Sequence, residues 1–113
     1  MSMNKEARKR LLDALNACHA IQIFLANKTL NDYLGDLLLR SGVERQFEIV
    51  GEALRQADVL DPDIQDSVPD LRLIVGMRNR IIHGYNVVDN KVVWDTVQND
   101  LPRLTEQLKV VLR

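Results

Sequence analysis

Apolar residues recur at helical spacing along almost the whole chain. Leu11, Leu15, Cys18 and Leu25 form a stripe, with Leu12, Ile21 and Phe24 at its edges, and predict a helix from about Asn4 to about Ala26. Asn27-Lys28-Thr29 breaks the pattern, and Asn31 or Thr29 offers a cap for a second helix that begins with Tyr33, Leu34, Leu37 and Leu38. Ser41-Gly42 interrupts it. Glycine costs roughly 1 kcal/mol against alanine in a helix, so a bend or break is expected there. The pattern resumes with Val43, Phe47, Val50, Leu54 and Ala57. Asp61-Pro62-Asp63 starts a turn or single helical turn, and Val68-Pro69-Asp70 separates it from the next helix, for which Asp70 is a suitable N-cap. Gly84 is a natural stop for that helix, and Val87-Val88-Asp89-Asn90 reads as a short extended link. The last segment carries Trp94, Val97, Leu101, Leu104, Leu108 and Val111, the strongest core stripe in the chain. Pro102 lies inside it and removes the bond to the Gln98 carbonyl, so a kink is expected near Asn99-Asp100. Every long segment reads as helix, which predicts an all-α antiparallel bundle of four to five helices with a kinked last helix.

One stripe is anomalous. Leu71, Ile74, Val75, Ile81, Ile82 and Tyr85 fall at offsets 0, 3, 4, 10, 11 and 14, one face of a helix, but offset 7 is Arg78. A guanidinium keeps its charge, so on a buried stripe it calls for something anionic or polar to receive it. Glu48 or Glu52 can be that acceptor. These two form a like-charged i,i+4 pair that is unfavourable unless a cation, Arg45 or an arginine of the motif helix, lies between them.

Composition narrows the classes. One hundred and thirteen residues suffice for one domain with a single core and fall short of two. With 46% hydrophobic residues, 5 Gly and 3 Pro the chain is neither disordered nor fibrous. No apolar run approaches the ~20 residues of a membrane span, and nothing after the N-terminus resembles a signal peptide. Cys18 is the single cysteine, so a reducing cytoplasm is the expected compartment. A net charge of −1 leaves RNA or phosphate binding to a local patch. Lys5, Arg8, Lys9 and Arg10 read as a solvated face before an RNA contact, and His19 receives no role. Arg72 and Arg80 can be an RNA-binding patch or plain solvated charges.

Arg78 and His83 stand five residues apart, about 140° round a helix axis and ~7.5 Å along it, so one straight helix does not aim both at one small target. Either the helix unwinds at His83-Gly84 or a second subunit completes the site. RNA carries its own nucleophile, the ribose 2′-OH. One histidine can remove that proton while another group, such as a second histidine, protonates the departing 5′ oxygen. Arg78 would offset charge on the phosphorane oxygens, and Asn79 could orient the imidazole or hold a phosphate oxygen. The products would be a 2′,3′-cyclic phosphate and a 5′-hydroxyl. No cluster of His, Cys or acidic residues has metal-ligand spacing, so neither metal nor cofactor is expected. On spacing alone, a structural ion pair is the plainer account of Arg78, and packing the plainer account of Tyr85.

The string Gly76-Met77-Arg78-Asn79-Arg80-Ile81-Ile82-His83-Gly84-Tyr85, followed by Val93-Trp94 and Asp100-Leu101-Pro102, resembles the HepT-like branch of the HEPN superfamily. Glu48-Ile49-Val50-Gly51-Glu52-Ala53 is similar to that branch's second helix. The resemblance implies one HEPN domain over residues 1–113 and a homodimer whose cleft gathers two motifs. It implies a metal-independent endoribonuclease, the toxin of a type VII toxin–antitoxin pair, silenced by a minimal nucleotidyltransferase that adds AMP to the motif tyrosine. Carried over by position, Arg78 and His83 match the catalytic pair, Asn79 and Arg80 the supporting positions, and Tyr85 the modified tyrosine. A reading from another class is a non-catalytic helical adaptor that binds a nucleotide or partners a nucleotidyltransferase.

Overall fold

The computed structural model describes residues 3–83 and 88–113, and the side chains of Ile82 and His83 lie outside what it describes. The described residues form seven helices: α1 Lys5–Leu25, α2 Leu30–Leu34, α3 Leu37–Leu60, α4 Ile64–Ser67, α5 Leu71–His83, α6 Asn90–Asn99 and α7 Leu101–Val111. No strand occurs among the described residues, so the all-α expectation holds.

Local chemistry sets most boundaries. Asn4 caps α1, its side-chain oxygen accepting from the Ala7 N–H at 2.9 Å. Past the end of α1, Asn27 takes a left-handed conformation with φ of 62°, which asparagine tolerates better than most residues. Thr29, rather than Asn31, caps α2, and Asp32 returns the bond to the Thr29 N–H at 2.9 Å in a reciprocal capping box.

Two expectations are corrected. The break falls at Gly35-Asp36 and not at Ser41-Gly42, because Asp36 accepts from the Leu39 N–H at 3.0 Å and starts α3 there. Gly42 lies inside the continuous α3, where a Cβ would meet the Phe24 ring at 3.4 Å. Consequently Leu37 and Leu38 begin a helix at the surface and are exposed, as are Leu12 and Phe24 of α1. The last segment is interrupted at Asp100, where the kink was expected, and divides there into α6 and α7. Pro102 sits in the first turn of α7, where a backbone N–H needs no partner within the helix, so the chain restarts at Asp100 and does not bend through the proline. Asn90, placed in the extended link, instead opens α6, capped by Asp89. The Gly84 stop and Val87 lie outside the described residues.

α1 and α3 make the principal helix pair. They run antiparallel, since the Asn4 N–H at the start of one donates to Asp61 at the end of the other, at 3.0 Å. The short α4 turns the chain back so that α5 returns along α3, while α7 packs on α1. Arg8 ties this last pair by donating to the Leu112 carbonyl at 2.6 Å. The core is filled by Leu11, Ile21, Phe47, Leu54, Ile74, Leu104 and Leu108, all fully buried. Cys18 is buried among them, and burial pushes its thiol up to about 12, with a bond to Thr105 pulling slightly the other way. Tyr33 anchors α2 against α6, its ring 5.6 Å from that of Trp94.

Candidate functional site

α5 presents Leu71, Ile74, Arg78 and Ile81 to the bundle, and all four are buried. Arg78 thus occupies a core position in earnest, with 9% of its surface exposed. Its carbon stem crosses α3 at Gly51, where a Cβ would stand 2.5 Å from Arg78 Cγ. Beyond that crossing the guanidinium reaches two partners. Nη1 donates to Asn79 Oδ1 at 2.9 Å, and Nη2 lies 4.0 Å from Glu48 Oε1. Nε is buried with no partner among the described residues. A buried cation with one short bond, one long ion pair and one unused donor retains capacity for another anionic or polar group.

The carboxylates on α3 share several cations. Arg45 Nη1 lies 3.7 Å from Glu48 Oε1, so Glu48 stands between Arg45 and Arg78. Glu52 is held by Arg55, through Nη2 at 2.6 Å and Nε at 3.2 Å, and by Gln56 Nε2 at 3.1 Å. The Arg55 and Gln56 hydrogen bonds, with the Arg55 and Arg78 charges adding to them, pull Glu52 down to about 2. The sequence suggests that a cation resolves the Glu48/Glu52 repulsion. The structure sets Arg45 and Arg78, the two cations the sequence offers, at Glu48 and adds Arg55, which was not foreseen, at Glu52. Its place three residues after Glu52 was the available signal.

The other predicted site residues divide by exposure. Asn79, Arg72 and Arg80 are at the surface of α5. Asn79 is committed to Arg78. α5 remains helical through His83, so the unwinding route does not begin before that residue. The His83 imidazole, Gly84 and Tyr85 lie outside the described residues. The basic start of α1 is taken up largely by local partners: Lys9 with Asp13 at 3.3 Å, Arg10 with Glu6 at 3.4 Å, and Arg8 with the Leu112 carbonyl. Next to Glu48 and Glu52, α1 and α3 border a shallow groove of about 460 Å³ lined by Arg10, Asp13, Asn16, Arg45, Ile49 and Gln56 among others. Among the described residues no three His, Cys, Asp or Glu side chains are grouped as metal ligands, and no helix is long and apolar enough to cross a membrane.

Gly51 is the residue whose part in this site the sequence concealed. It appears there only as one letter of a helix, but a glycine at the centre of a long apolar-striped helix is itself a signal of close backbone approach.

Comparison with known proteins bears on what this arrangement is. A family model described as ribonuclease HepT-like matches residues 14–111. A Thermococcus cleftensis protein named "Probable ribonuclease HepT" is 32% identical over 104 residues, covering 90% of this chain and 92% of that protein. A Methanocaldococcus jannaschii protein named "Putative RNase MJ1380" is 27% identical over 95% of this chain and 97% of its own length. A third relative, "Putative RNase TTE0752" of Caldanaerobacter subterraneus, is 28% identical over 96% of each chain. No solved structure matches significantly. With nearly its whole length matched and Arg78 seated on the buried face of its motif helix, the chain belongs to the HepT-like ribonuclease family of the HEPN superfamily.

Proposed function

We propose that this chain is one HEPN domain over residues 1–113 and acts as a metal-independent endoribonuclease, the toxin of a toxin–antitoxin pair in the cytoplasm. The observation that carries the reading is the Arg78 guanidinium, buried on a core stripe and bonded to Asn79 but, among the described residues, with Nε unpartnered and only a 4.0 Å ion pair to Glu48. A phosphate is the partner this geometry lacks, since two guanidinium donors can take two of its oxygens.

In the reaction, His83 removes the ribose 2′ proton, the 2′ oxygen attacks phosphorus, and the 5′ oxygen leaves with a proton from a second acid. Arg78 stabilises the negative charge that grows on the non-bridging oxygens. Asn79 holds the guanidinium in place, and the exposed Arg72 and Arg80 carry the RNA backbone. Because α5 is helical through His83, Arg78 and His83 of one copy diverge by about 140°. A second copy of the chain supplies the missing half, so the site belongs to a homodimer. Regulation follows from Tyr85, two residues beyond His83. AMP transferred to its hydroxyl by a partner nucleotidyltransferase sets bulk and negative charge where an RNA phosphate must bind.

The test is expression without the partner, wild type against His83→Ala, scored for growth arrest. The purified wild type should cleave RNA in EDTA and leave 2′,3′-cyclic phosphate ends. Equal cleavage by wild type and His83→Ala would sink the catalytic reading. Tight association with the nucleotidyltransferase, with no cleavage and no arrest, would instead mark the chain as an adaptor.

A further inference from the structure

Gly51 makes the tightest approach of any described glycine. A Cβ built on it stands 2.5 Å from Arg78 Cγ, 2.8 Å from Arg78 Cβ and 2.9 Å from Arg78 Cδ. Carbon atoms in contact prefer about 3.5–4.0 Å, so no side chain fits without moving the arginine. The other described glycines differ. Gly76 faces open space, Gly42 has an ordinary contact with Phe24, and Gly35 approaches only a backbone carbonyl at 3.3 Å.

Backbone conformation does not explain the residue. Gly51 lies within the 24-residue α3 with no positive φ, where alanine is the better helix former. Volume explains it. The bare Cα of Gly51 is the floor on which the first three carbons of Arg78 lie, and those carbons set where the guanidinium ends. From that seat Nη1 reaches Asn79 and Nη2 faces Glu48, which Arg45 holds from its far side at 3.7 Å. A stem lifted off α3 by one methyl group carries the guanidinium away from both partners.

We infer that Gly51 is a positioning residue for Arg78: its missing side chain fixes where the guanidinium meets the RNA phosphate. The inference rests on the proposed role of Arg78. Gly51 touches no substrate and acts only through the arginine.

The experiment uses the full chain with a fluorogenic oligoribonucleotide that the wild type cleaves. Gly51→Ala is expected to lower kcat by roughly 100-fold, the scale of a 1 Å misplacement. KM should stay within about twofold and the pH profile should keep its shape, because His83 is untouched. The Arg78 Nε–H signal in a nitrogen–proton correlation spectrum should shift or broaden, while backbone amides away from the α3–α5 crossing keep their positions. Combined with Arg78→Ala, Gly51→Ala should cause no further loss of activity.

A folded Gly51→Ala with wild-type kcat, or with the Arg78 signal unmoved, overturns the inference. If Gly51→Ala does not fold, a second double variant decides. It pairs Gly51→Ala with Arg78→Gly, which removes Cβ, Cγ and Cδ, all three contacting carbons, so the pair should fold with a Tm close to that of Arg78→Gly, and failure to do so also overturns it. Cleavage at the wild-type rate by Arg78→Ala alone would be a different failure, that of the catalytic reading, and the spectroscopic result would still stand by itself.

Discussion

Arg78 and Arg103 hold opposite parts of α5 in opposite ways. Arg103, on α7, reaches the Asp70 carboxylate just before α5 through Nε and donates from Nη2 to Asp100 at 3.0 Å. Asp70 is further fixed by its N–H, which donates to Gln107 Oε1 at 3.0 Å. Its carboxylate, expected from the sequence to cap the helix, receives the arginine of another helix. That arginine is half exposed and well partnered. Arg78 is buried and, among the described residues, poorly partnered. Stability alone favours the reverse, because desolvating a guanidinium costs most where its donors go unused. The inversion supports the proposed role of Arg78 as a group held for an incoming phosphate, while Arg103 fastens α7 to the start of α5.

The comparison breaks first on activity. Arg78→Ala should lower the RNA cleavage rate about 100- to 1,000-fold with the helical spectrum retained. Arg103→Ala should leave the rate per folded molecule unchanged and slightly lower Tm. Cleavage assays beside thermal melts check both, and equal rates for the two variants would erase the distinction.

The next largest effect is on stability. Phe47 is fully buried on α3, one turn before Gly51. Phe47→Ala should cost about 3–5 kcal/mol in urea unfolding, with activity per folded molecule retained at low denaturant. Activity lost well below the unfolding midpoint would tie the Arg78 seat to the core more closely than the crossing at Gly51 implies.

A smaller effect concerns pH at the Arg78 end. The folded-state value of Glu52, about 2, lies below its ordinary 4.5. A depressed carboxylate contributes stability that is fully present above 4.5 and is lost as pH falls toward 2. The pair with Arg55 is solvent-exposed, so the contribution is modest. Glu52→Gln should therefore flatten Tm against pH between about 4.5 and 2 relative to wild type and change little at pH 7 beyond a small constant offset.

The smallest expected change lies at the Arg103 end. Pro102 occupies the first turn of α7, so Pro102→Ala should alter stability by less than about 1 kcal/mol. Under the single kinked helix, removing an interior proline would stabilise by about 3 kcal/mol, which a melt separates readily.

Local chemistry made much of this protein legible from sequence. The span of α1, a cap at Thr29 or Asn31, the stop at Asn27 and the face of α5 all follow from local side-chain chemistry and spacing, and such effects travel with the sequence. The misplaced charge at Arg78 was legible for the same reason, since periodicity alone assigns it to the buried face. Other features were not. Gly42 and Gly51 look alike in sequence, each a glycine inside a helical pattern. One lies against the Phe24 ring at ordinary distance, and the other takes the stem of Arg78 at a spacing that admits no side chain. Pro102 reads as an interior proline until it is known that α7 begins just before it.

The sequence by itself determined the all-α class, the span of α1, the buried face of α5 and the resemblance to the family. Only the tertiary structure decided which glycine is required, which arginines hold each glutamate, and where the break between α2 and α3 falls. These depend on what a neighbouring helix places within 4 Å, and that distance is set by packing between segments far apart in the chain.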